Sequence, residues 1–600
     1  MNFSTGPIVG VAAATDAFQP SLMPTPTVDQ GISAGASLFT AGVTAHIIDR
    51  SIAHIAKRVG GNEYATRAVV AGIGIGVSSA FKRRDGESLG RAAVRTGATV
   101  AAATAITGAA LQVANETGRK ISNHIPGGRV IVPVIGIAKV ALGAGLLLRS
   151  RLRRFEDDGR PMPEPETVAK SATVAIALGG GVAALVTGER AAVRGASNRA
   201  PGPTFVWRSG GHGAALALVG AGAAFGLRKM LGKIEAANNK VEPGYAEPPA
   251  TPTVTAAPGS SVPYKTLGHQ GRRFVSEVAT PERIRTVMGE DPHAEPVRIY
   301  VGYLSADDVQ GRIDLAVEEM RRTGALERSV VIVSSPAGTG YVNYIPIEAA
   351  EYMGRGDVAS IAVQYGRRPS LMSADRITPG AHHFRSLIDA IQAECERTGL
   401  NPRVVVYGES LGAHTSQDAF LHQGTDGLRL AGVDRALWVG TPYRSEWKEE
   451  VFRDDRPDVD RAAFGVFNSI DEVNALRQAD REELRIFFLN HWNDPVTRFG
   501  IDLSVQQPSW LGPPDQRPPT ISSTQRWTPI VTFWQTAIDT KNAATVIPGE
   551  FFATGHDYRA DLAEFVRAAY GFDDVAPQQM ERIEAQLRRS EMARADRIAH

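Results

Sequence analysis

The sequence has very little cysteine and almost no net charge, and both shortages limit what the protein can be. Its 600 residues include a single cysteine, Cys395, which excludes an intrachain disulfide and any zinc site built on several thiolates. The net charge of +1 gives no general reason to expect nucleic acid as a partner. Hydrophobic residues make up 43% of the chain, which is enough for a sizeable core, and the length predicts more than one domain. We expect no metal and no other cofactor.

The small net charge conceals opposite charges in the two parts of the chain. Residues 1–240 contain 27 Lys/Arg against 14 Asp/Glu, whereas the remainder contains 38 against 50. In the basic part, the charges flank Ala/Gly/Val/Ile-rich runs of nearly membrane-spanning length. We predict an all-α membrane region of about 5–6 helices over residues 1–235, with a soluble helical bundle as the alternative. DNA binding is disfavoured because the charges form no continuous helix face. The runs are Ile32–Ile48, Ala68–Phe81, Thr96–Ala114, Val130–Leu148, Ser171–Thr187 and Gly213–Leu227.

The loops between these runs differ in Lys/Arg content, which predicts the orientation in the membrane. With six spans, the loops after the second, fourth and sixth runs hold more Lys and Arg than the others. The positive-inside rule then places the C-terminal part in the cytoplasm, and a count of five spans would reverse this. We therefore expect a multi-pass protein of the cell membrane, with the lipid bilayer as a partner and an unknown oligomeric state.

The remaining chain changes character twice. Residues 236–265 are rich in Pro, Ala, Thr and Ser without periodicity, which predicts a linker. Short β-branched runs then alternate with helical patterns, which is typical of a mainly parallel sheet with helices on both faces. We predict an α/β domain over 266–575, with a cap at 444–484 whose aromatic residues are alternatively core, and a charged helical tail at 576–600. The predicted strands are Val297–Leu304, Val330–Ser335, Val358–Tyr365, Val404–Tyr407, Ala436–Val439 and Ile486–Leu489.

One of these strands runs directly into the pentapeptide Gly-Glu-Ser-Leu-Gly at residues 408–412. Small residues on both sides of a serine permit a sharp strand-to-helix turn that exposes Ser410 Oγ, while the N–H of Leu411 can face an oxyanion. The same pentapeptide occurs at residues 86–90, but there it follows a charged loop and no strand. We predict that Ser410 is a nucleophile and that Ser88 is an ordinary loop serine.

A nucleophilic serine needs a base, and the base needs an acid that orients it. In this type of fold the chain order is serine, acid, histidine. Beyond the region of the acid, only His556 and His600 remain, and His600 ends the charged tail. The loop sequence around His556 makes it the candidate base.

The candidate acid is Asp494, which falls in the turn just after the strand at 486–489. A carboxylate at the end of a strand is placed to reach an imidazole. Asp502 and Asp557 are alternatives, and Asp494 is alternatively a turn-capping residue.

The second oxyanion donor is expected after an earlier strand. Residues 330–335 lead into Pro-Ala-Gly-Thr-Gly-Tyr, where two glycines permit a loop with inward-facing amides. Gly338 or Thr339 is the candidate donor, and an ordinary glycine turn is the alternative. A metal hydrolase is disfavoured because His382 and His383 are adjacent, so one helix or strand does not easily aim both at one ion.

Together these residues resemble the actinobacterial membrane-anchored α/β-hydrolase family, which has a multi-span N-terminal region and a C-terminal hydrolase domain. The resemblance implies a nucleophile at Ser410, an acid at Asp494 and a base at His556. The sequence departs from the family pattern at Ala337, where the family favours Thr, and at Tyr341, where it favours Trp. The matching stretches are Ser335–Tyr341, Val358–Tyr365, Tyr407–Gly412, Ala436–Gly440, Leu489–Val496, Arg526–Gln535 and Gly555–Tyr558.

These observations predict a membrane-anchored serine hydrolase of the esterase, lipase or thioesterase type. It would act through an acyl-enzyme, and tethering to a membrane favours lipid-like esters as substrates. Two alternatives stay open. One is an acyltransferase that uses the same three residues, since the difference lies in the exclusion of water. The other is a non-enzymatic membrane scaffold or transporter with a hydrolase-like domain.

Overall fold

The computed structural model describes residues 4–84, 86–125, 128–178, 241–367, 377–453, 455–543 and 546–599. These residues form two compact units. The N-terminal unit contains the described residues up to 178 together with Phe499–Asn542. The C-terminal unit contains 241–498 and the described residues after Asn542. The predicted apolar run at 213–227, and the end of the run at 171–187, lie outside the described residues.

A parallel sheet of seven strands forms the centre of the C-terminal unit. The spatial order is β1-β3-β2-β4-β5-β7-β6, and every neighbouring pair is parallel. Six strands match the predicted runs, and β6 was not predicted. Because parallel strands require crossover connections, helices lie between them along the chain. The strands are β1 Val297–Val301, β2 Val330–Ser335, β3 Val358–Val363, β4 Arg403–Glu409, β5 Arg435–Val439, β6 Phe464–Phe467 and β7 Ile486–Leu489.

The helices are numbered in chain order, and residues 165–178, which receive no number, are also helical. Those of the N-terminal unit are α1 Thr5–Asp16, α2 Thr27–Arg58, α3 Glu63–Ala80, α4 Leu89–His124, α5 Gly128–Asp157 and, much later in the chain, α16 Val531–Asn542. Those of the C-terminal unit are α6 Gly268–Ser276, α7 Pro281–Met288, α8 Val309–Thr323, α9 Tyr344–Met353, α10 Ile377–Thr398, α11 Leu411–Asp418, α12 Asp426–Leu430, α13 Glu446–Val451, α14 Ile470–Asn474, α15 Gln478–Glu483, α17 Leu562–Tyr570 and α18 Pro577–Ala599. Short 3₁₀ turns lie at Pro243–Tyr245, Tyr264–Thr266, Ala325–Glu327, Ile501–Ser504, Ser509–Leu511 and Pro514–Gln516.

The strands form from runs of β-branched and aromatic residues because both faces of the sheet are covered. Every residue of β2 and of β3 is buried, as a sheet packed on two sides requires. Charged side chains are also buried in this unit. Arg298 on β1 is fully buried, and its Nε and Nη2 atoms donate to the two carboxylate oxygens of Glu351 at 2.5 and 2.8 Å.

Removing one partner of this buried pair predicts a large loss of stability. We expect Glu351→Ala to lower the free energy of unfolding by about 3–5 kcal/mol, because it leaves the Arg298 charge buried without compensation. Urea unfolding of the full chain, followed by fluorescence of the buried Trp438 and Trp447, measures this. The control is Asp480→Ala, which breaks a pair with the largely exposed Arg477 and is expected to change stability little. Equal, small losses in both variants would contradict the prediction.

The structure differs from the predicted linker at 236–265 wherever that segment is described. Val254 forms a parallel bridge to Arg298 at the edge of the sheet, and the N–H of Thr255 donates to the Arg298 carbonyl at 3.0 Å. Tyr245 and Val262 are buried as well. Residues 241–265 are therefore packed against the C-terminal unit. Widely spaced apolar residues anchor the segment, which is why its sequence shows no periodicity.

The segment 444–484 also differs from the predicted cap, because it adds β6 to the edge of the sheet. Trp447 packs against Trp438 with ring centroids 5.0 Å apart, and Phe452 packs against Phe488 at 6.0 Å. Trp447 and Phe467 are buried, which supports the alternative interpretation that they belong to the core, whereas Phe452 is 45% exposed.

The C-terminal helix α18 is docked on the same unit rather than solvated. Met580, Ile583 and Leu587 are buried along one face, at the spacing expected for an amphipathic helix. Farther along the helix, the carboxylate of Glu591 accepts a hydrogen bond from Tyr344 Oη at 2.5 Å. Because most residues of this helix are charged or polar, its composition alone does not reveal the buried apolar stripe.

Two helices of the described N-terminal unit, α2 and α4, are long and apolar enough to cross a membrane. The expectation of five or six is therefore not met by the described residues. The runs are rich in Ala and Gly, so their mean hydropathy is low, and charged residues at the helix ends lower it further. The helix α3, for example, has 18 residues and includes Glu63 and Arg67. Only 33% and 22% of the apolar windows of α2 and α4 are buried. The outward apolar side chains are consistent with membrane association.

The segment Phe499–Asn542 belongs to the N-terminal unit although it lies late in the chain. Val531 is fully buried in a cluster with Ala17 and Phe18 of the N-terminal helical region. The carboxylate of Asp539 accepts a hydrogen bond from the Leu22 N–H at 3.0 Å, and burial raises the pKa of Asp539 to about 7. Part of the C-terminal sequence thus completes the core of the N-terminal unit.

Candidate active site

Ser410 stands at a strained turn between β4 and α11. Its backbone has φ 54° and ψ −123°, a conformation that residues other than glycine rarely adopt. The flanking glycines make the turn possible. A Cβ at Gly412 would lie 2.1 Å from the Ser335 carbonyl oxygen, and one at Gly408 would lie 2.7 Å from Ser416 Oγ. The Gly-x-Ser-x-Gly spacing therefore reflects close packing of α11 against β2 and β4.

The second copy of the pentapeptide has a different geometry. Ser88 has φ −64° and forms the N-cap of α4, where its Oγ accepts a hydrogen bond from the Arg91 N–H at 3.4 Å. This is an ordinary role for serine. Identical sequences thus give a strained turn after a strand and a relaxed cap before a helix.

The candidate base and acid are in direct contact. His556 Nδ1 lies 2.7 Å from Oδ2 of Asp494, and the Asp494 side chain is completely buried. The same Oδ2 accepts a hydrogen bond from Tyr558 Oη at 2.6 Å, while Oδ1 accepts one from the Val496 N–H at 2.8 Å. Three donors therefore fix the carboxylate. Tyr558 was missed from the sequence, although it stands only two residues after the candidate base.

Two opposing effects act on the imidazole. Burial lowers the pKa of His556, but the charge of Asp494 and the hydrogen bond to it outweigh this, and Glu409 and Asp557 add to the effect. The resulting pKa of His556 is above its ordinary value of 6.5. Such an arrangement favours the imidazolium that forms when a base accepts a proton.

The turn after β5 brings the serine and the histidine to the same edge of the sheet. The N–H of Ser410 donates to the Val439 carbonyl at 2.9 Å, and the next residue, Gly440, has φ 56°. A Cβ at Gly440 would lie 2.5 Å from Cε1 of His556, so the ring rests directly on this glycine. Ser410 and the contacting pair of Asp494 and His556 therefore lie at the same edge of the sheet, where β4, β5 and β7 end.

The rival acids lie elsewhere. Asp557 is held by Arg559, whose Nε and Nη2 donate to its two oxygens at 2.8 Å each. Asp502 belongs to the N-terminal unit. The rival base, His600, lies outside the described residues. Of the candidate acids, Asp494 is the one in contact with His556.

The predicted oxyanion loop at residues 336–341 closes on itself. The Ala337 N–H donates to the Tyr341 carbonyl and the Gly340 N–H donates to the Ala337 carbonyl, both at 2.8 Å. Tyr300 Oη donates to the Gly340 carbonyl at 2.8 Å. The predicted donors Gly338 and Thr339 lie in this loop, and the Thr339 carbonyl accepts a hydrogen bond from Gln364 Nε2 at 3.0 Å. Leu411 begins α11, where the first backbone amides have no intrahelical partner.

Glu409, next to the serine, is held by two side chains, one from its own strand and one from another part of the C-terminal unit. Its Oε2 accepts hydrogen bonds from Tyr407 Oη at 2.6 Å and from Asn343 Nδ2 at 2.8 Å. The carboxylate therefore ties the strained turn to the N-cap of α9. The sequence contains no signal for this contact, because Asn343 is distant along the chain.

A small depression, partly open to solvent, lies beside the start of the oxyanion loop. Burial lowers the pKa of His383 in its wall to about 4, so this ring is neutral. Among the described residues, no group of three or more His, Cys, Asp or Glu side chains is placed to hold a metal ion. The depression is lined by Ser335, Pro336, Val363, Tyr365, Gly380, His383, Phe384 and Leu387.

A parallel sheet with a strained serine after a central strand, and a His–Asp pair at the same edge, defines the α/β-hydrolase class. Residues 297–583 match the model of the Alpha/beta-hydrolase family, and residues 92–278 match the model of that family's N-terminus. The chain thus carries an α/β-hydrolase family domain, preceded by the N-terminal region of the same family. No curated protein and no solved structure matches the chain.

Proposed function

We propose that this protein is a membrane-anchored serine hydrolase that cleaves carboxylic esters through an acyl-enzyme. The family domain indicates a hydrolase-type activity. The observation that carries the finer proposal is the hydrogen bond between His556 and the fully buried Asp494, beside the strained Ser410. A non-enzymatic hydrolase-like domain would not require this combination of residues, so the arrangement favours an enzyme over a scaffold or transporter.

The reaction proceeds in two halves. Ser410 Oγ attacks the ester carbonyl while His556 accepts its proton, and Asp494 stabilises the imidazolium. The Leu411 N–H and a backbone amide at Gly338 or Thr339 stabilise the oxyanion. The intermediate collapses, the alkoxide leaves with the proton from His556, and the acyl-enzyme remains. Water, deprotonated by His556, then releases the acid and restores Ser410.

The substrates we propose are lipid-like esters, including thioesters. Exposed apolar side chains on α2 and α4 support membrane attachment, which raises encounter with such molecules. We further propose a multi-pass topology with the catalytic unit on the cytoplasmic side. The bilayer and an ester or acyl substrate are then the principal partners.

A fluorophosphonate probe tests the proposal, because it reacts only with an activated serine. We expect the wild type to be labelled, Ser410→Ala to lose labelling completely, and Ser88→Ala to label as the wild type does. Ser88 is a matched control, since it occupies the same pentapeptide in a relaxed cap. Absence of labelling of the folded wild type, in detergent and in bilayers, would overturn the proposal.

If the wild type reacts with the probe, fresh unlabelled protein would next be offered p-nitrophenyl esters of increasing acyl length. We expect turnover to be measurable and to depend on Ser410. An alcohol acceptor that diverts the acyl group from water would indicate acyl transfer by the same residues.

A further inference from the structure

A second histidine–carboxylate pair lies next to the candidate active site. His491 is 2% exposed, and its Nε2 lies 3.0 Å from Oδ2 of Asp561. Its other ring nitrogen, Nδ1, lies 3.0 Å from the carbonyl oxygen of Gly555. The reaction proposed above uses neither residue of this pair.

Counting protons shows that this pair holds an extra one. A carbonyl oxygen and a carboxylate oxygen both only accept hydrogen bonds, whereas a neutral imidazole carries a single N–H. Both contacts of His491 are hydrogen bonds only if the ring is an imidazolium or if Asp561 is protonated. In either form the buried pair contains one proton more than a neutral ring beside a carboxylate.

The pair touches the proposed catalytic residues at two points. The first point is Gly555, which immediately precedes His556 and whose carbonyl oxygen is in contact with His491 Nδ1. The ring of His491 also stacks on Tyr558 at a centroid distance of 4.2 Å, and the His491 N–H donates to Tyr558 Oη at 3.2 Å. Tyr558 Oη in turn donates to Asp494. His491 therefore supports both the loop of the base and the donor to the acid.

The charged groups around the pair are mostly negative. Asp561 begins α17, which also carries Glu564, and Glu584 of α18 faces both of them. Burial raises the pKa of Glu584, and the charges of Glu564, Glu581 and Asp561 raise it further, against the opposing effect of Arg588. On the other side, His491 faces Tyr558, beyond which lie Asp494 and His556.

We infer that His491 and Asp561 are positioning residues that hold the loop of His556 in place through one shared proton. This inference rests on the proposed function. Because His491 reaches both Gly555 and Asp561, loss of either hydrogen bond is expected to release the loop of His556.

Three variants separate this role from simple packing. His491→Phe keeps a ring against Tyr558 but removes both hydrogen bonds, and we expect kcat to fall about 10- to 100-fold with little change in KM. Asp561→Ala is expected to behave similarly. Asp561→Asn is the rescue variant, because an asparagine N–H can donate to Nε2 while neutral His491 donates to Gly555. It should keep kcat within a few fold of wild type.

Hydrogen–deuterium exchange of the full chain gives a readout that does not depend on turnover. We expect faster exchange over residues 549–560 in His491→Phe and Asp561→Ala, and wild-type exchange in Asp561→Asn. The control is His422→Asn, which removes an exposed histidine from its carboxylate partner Glu450 and should change neither kcat nor this loop.

The outcomes distinguish the two proposals. If the wild type labels with fluorophosphonate but Asp561→Asn is as impaired as Asp561→Ala, or His491→Phe retains wild-type kcat and loop exchange, the positioning role is wrong. If the wild type does not label at all, the proposed function fails, and the exchange pattern alone still decides whether the pair holds the loop.

Discussion

Asp494→Asn is expected to lower kcat about 10⁴-fold while the protein stays folded. The Val496 N–H requires an acceptor at the Oδ1 position, so the amide NH₂ group must take the Oδ2 position. There it donates to Nδ1 of His556, which forces the proton of the neutral ring onto Nε2. The histidine then has no lone pair for the proton of Ser410. Steady-state hydrolysis of an activated ester measures the loss.

The pH dependence provides an independent check on the same variant. Neutral His556 is the active base, so wild-type activity rises with pH through its pKa, which lies above 6.5. Without the charge of Asp494, the lowering effect of burial dominates the pKa of His556. The residual activity of Asp494→Asn should therefore rise at lower pH than that of the wild type. Asp502→Asn, the rival aspartate in the other unit, should keep both kcat and the pH profile.

A loss of less than about tenfold in Asp494→Asn, with an unshifted profile, would remove Asp494 from the proposed reaction. Circular dichroism of the variant shows whether the fold is retained. Tyr558 can rotate its hydroxyl to accept from the new amide, so we expect no large loss of stability.

Local patterns were sufficient where a residue's role is decided by its neighbours in the chain. Strands such as β2 and β3 are continuous β-branched runs because both of their faces are buried. The strained turn at Ser410 was predictable because a strand precedes the pentapeptide, and the relaxed Ser88 because none does. The contact between Asp494 and His556 agrees with the order expected of this fold.

Roles that depend on distant parts of the chain were not predictable in this way. Val254 belongs to the core because it reaches the edge strand β1, although its own segment is rich in proline and threonine. Phe499–Asn542 leaves the C-terminal unit and completes the N-terminal one, which no local pattern indicates. The same holds for Tyr558, whose hydroxyl is polar in the sequence but lies buried against Asp494.

Among the described residues, fewer helices than predicted are apolar enough to cross a membrane. Ala- and Gly-rich runs contain few charges but are only weakly hydrophobic. They therefore have the length expected of a membrane span, but their mean hydropathy is too low. α2 and α4 pass that threshold among the described residues, and α3 illustrates a run whose helix also includes Glu63 and Arg67. Mean hydropathy over a window of about 19 residues is the sharper criterion.

The second large effect is expected for Gly440→Ala. A methyl group there would lie 2.5 Å from Cε1 and 2.9 Å from Nδ1 of His556, and 2.9 Å from Cε2 of Tyr558. Because carbon atoms in contact are about 3.5–4.0 Å apart, the imidazole must move by about an ångström. A displacement of this size costs about 10²-fold in rate, so we expect kcat and the rate of fluorophosphonate labelling to fall at least that far.

Backbone strain must be separated from this collision, because Gly440 has φ 56° and alanine is disfavoured there. Gly399→Ala is the matched control: that glycine has φ 73°, yet a Cβ there meets no atom within 4 Å. Both variants should lose about 1 kcal/mol of stability from the left-handed backbone alone. Only Gly440→Ala should lose activity. Equal activity in the two variants would mean that His556 works from a position other than the one in contact with Gly440, and the proposed geometry of the base would then be wrong.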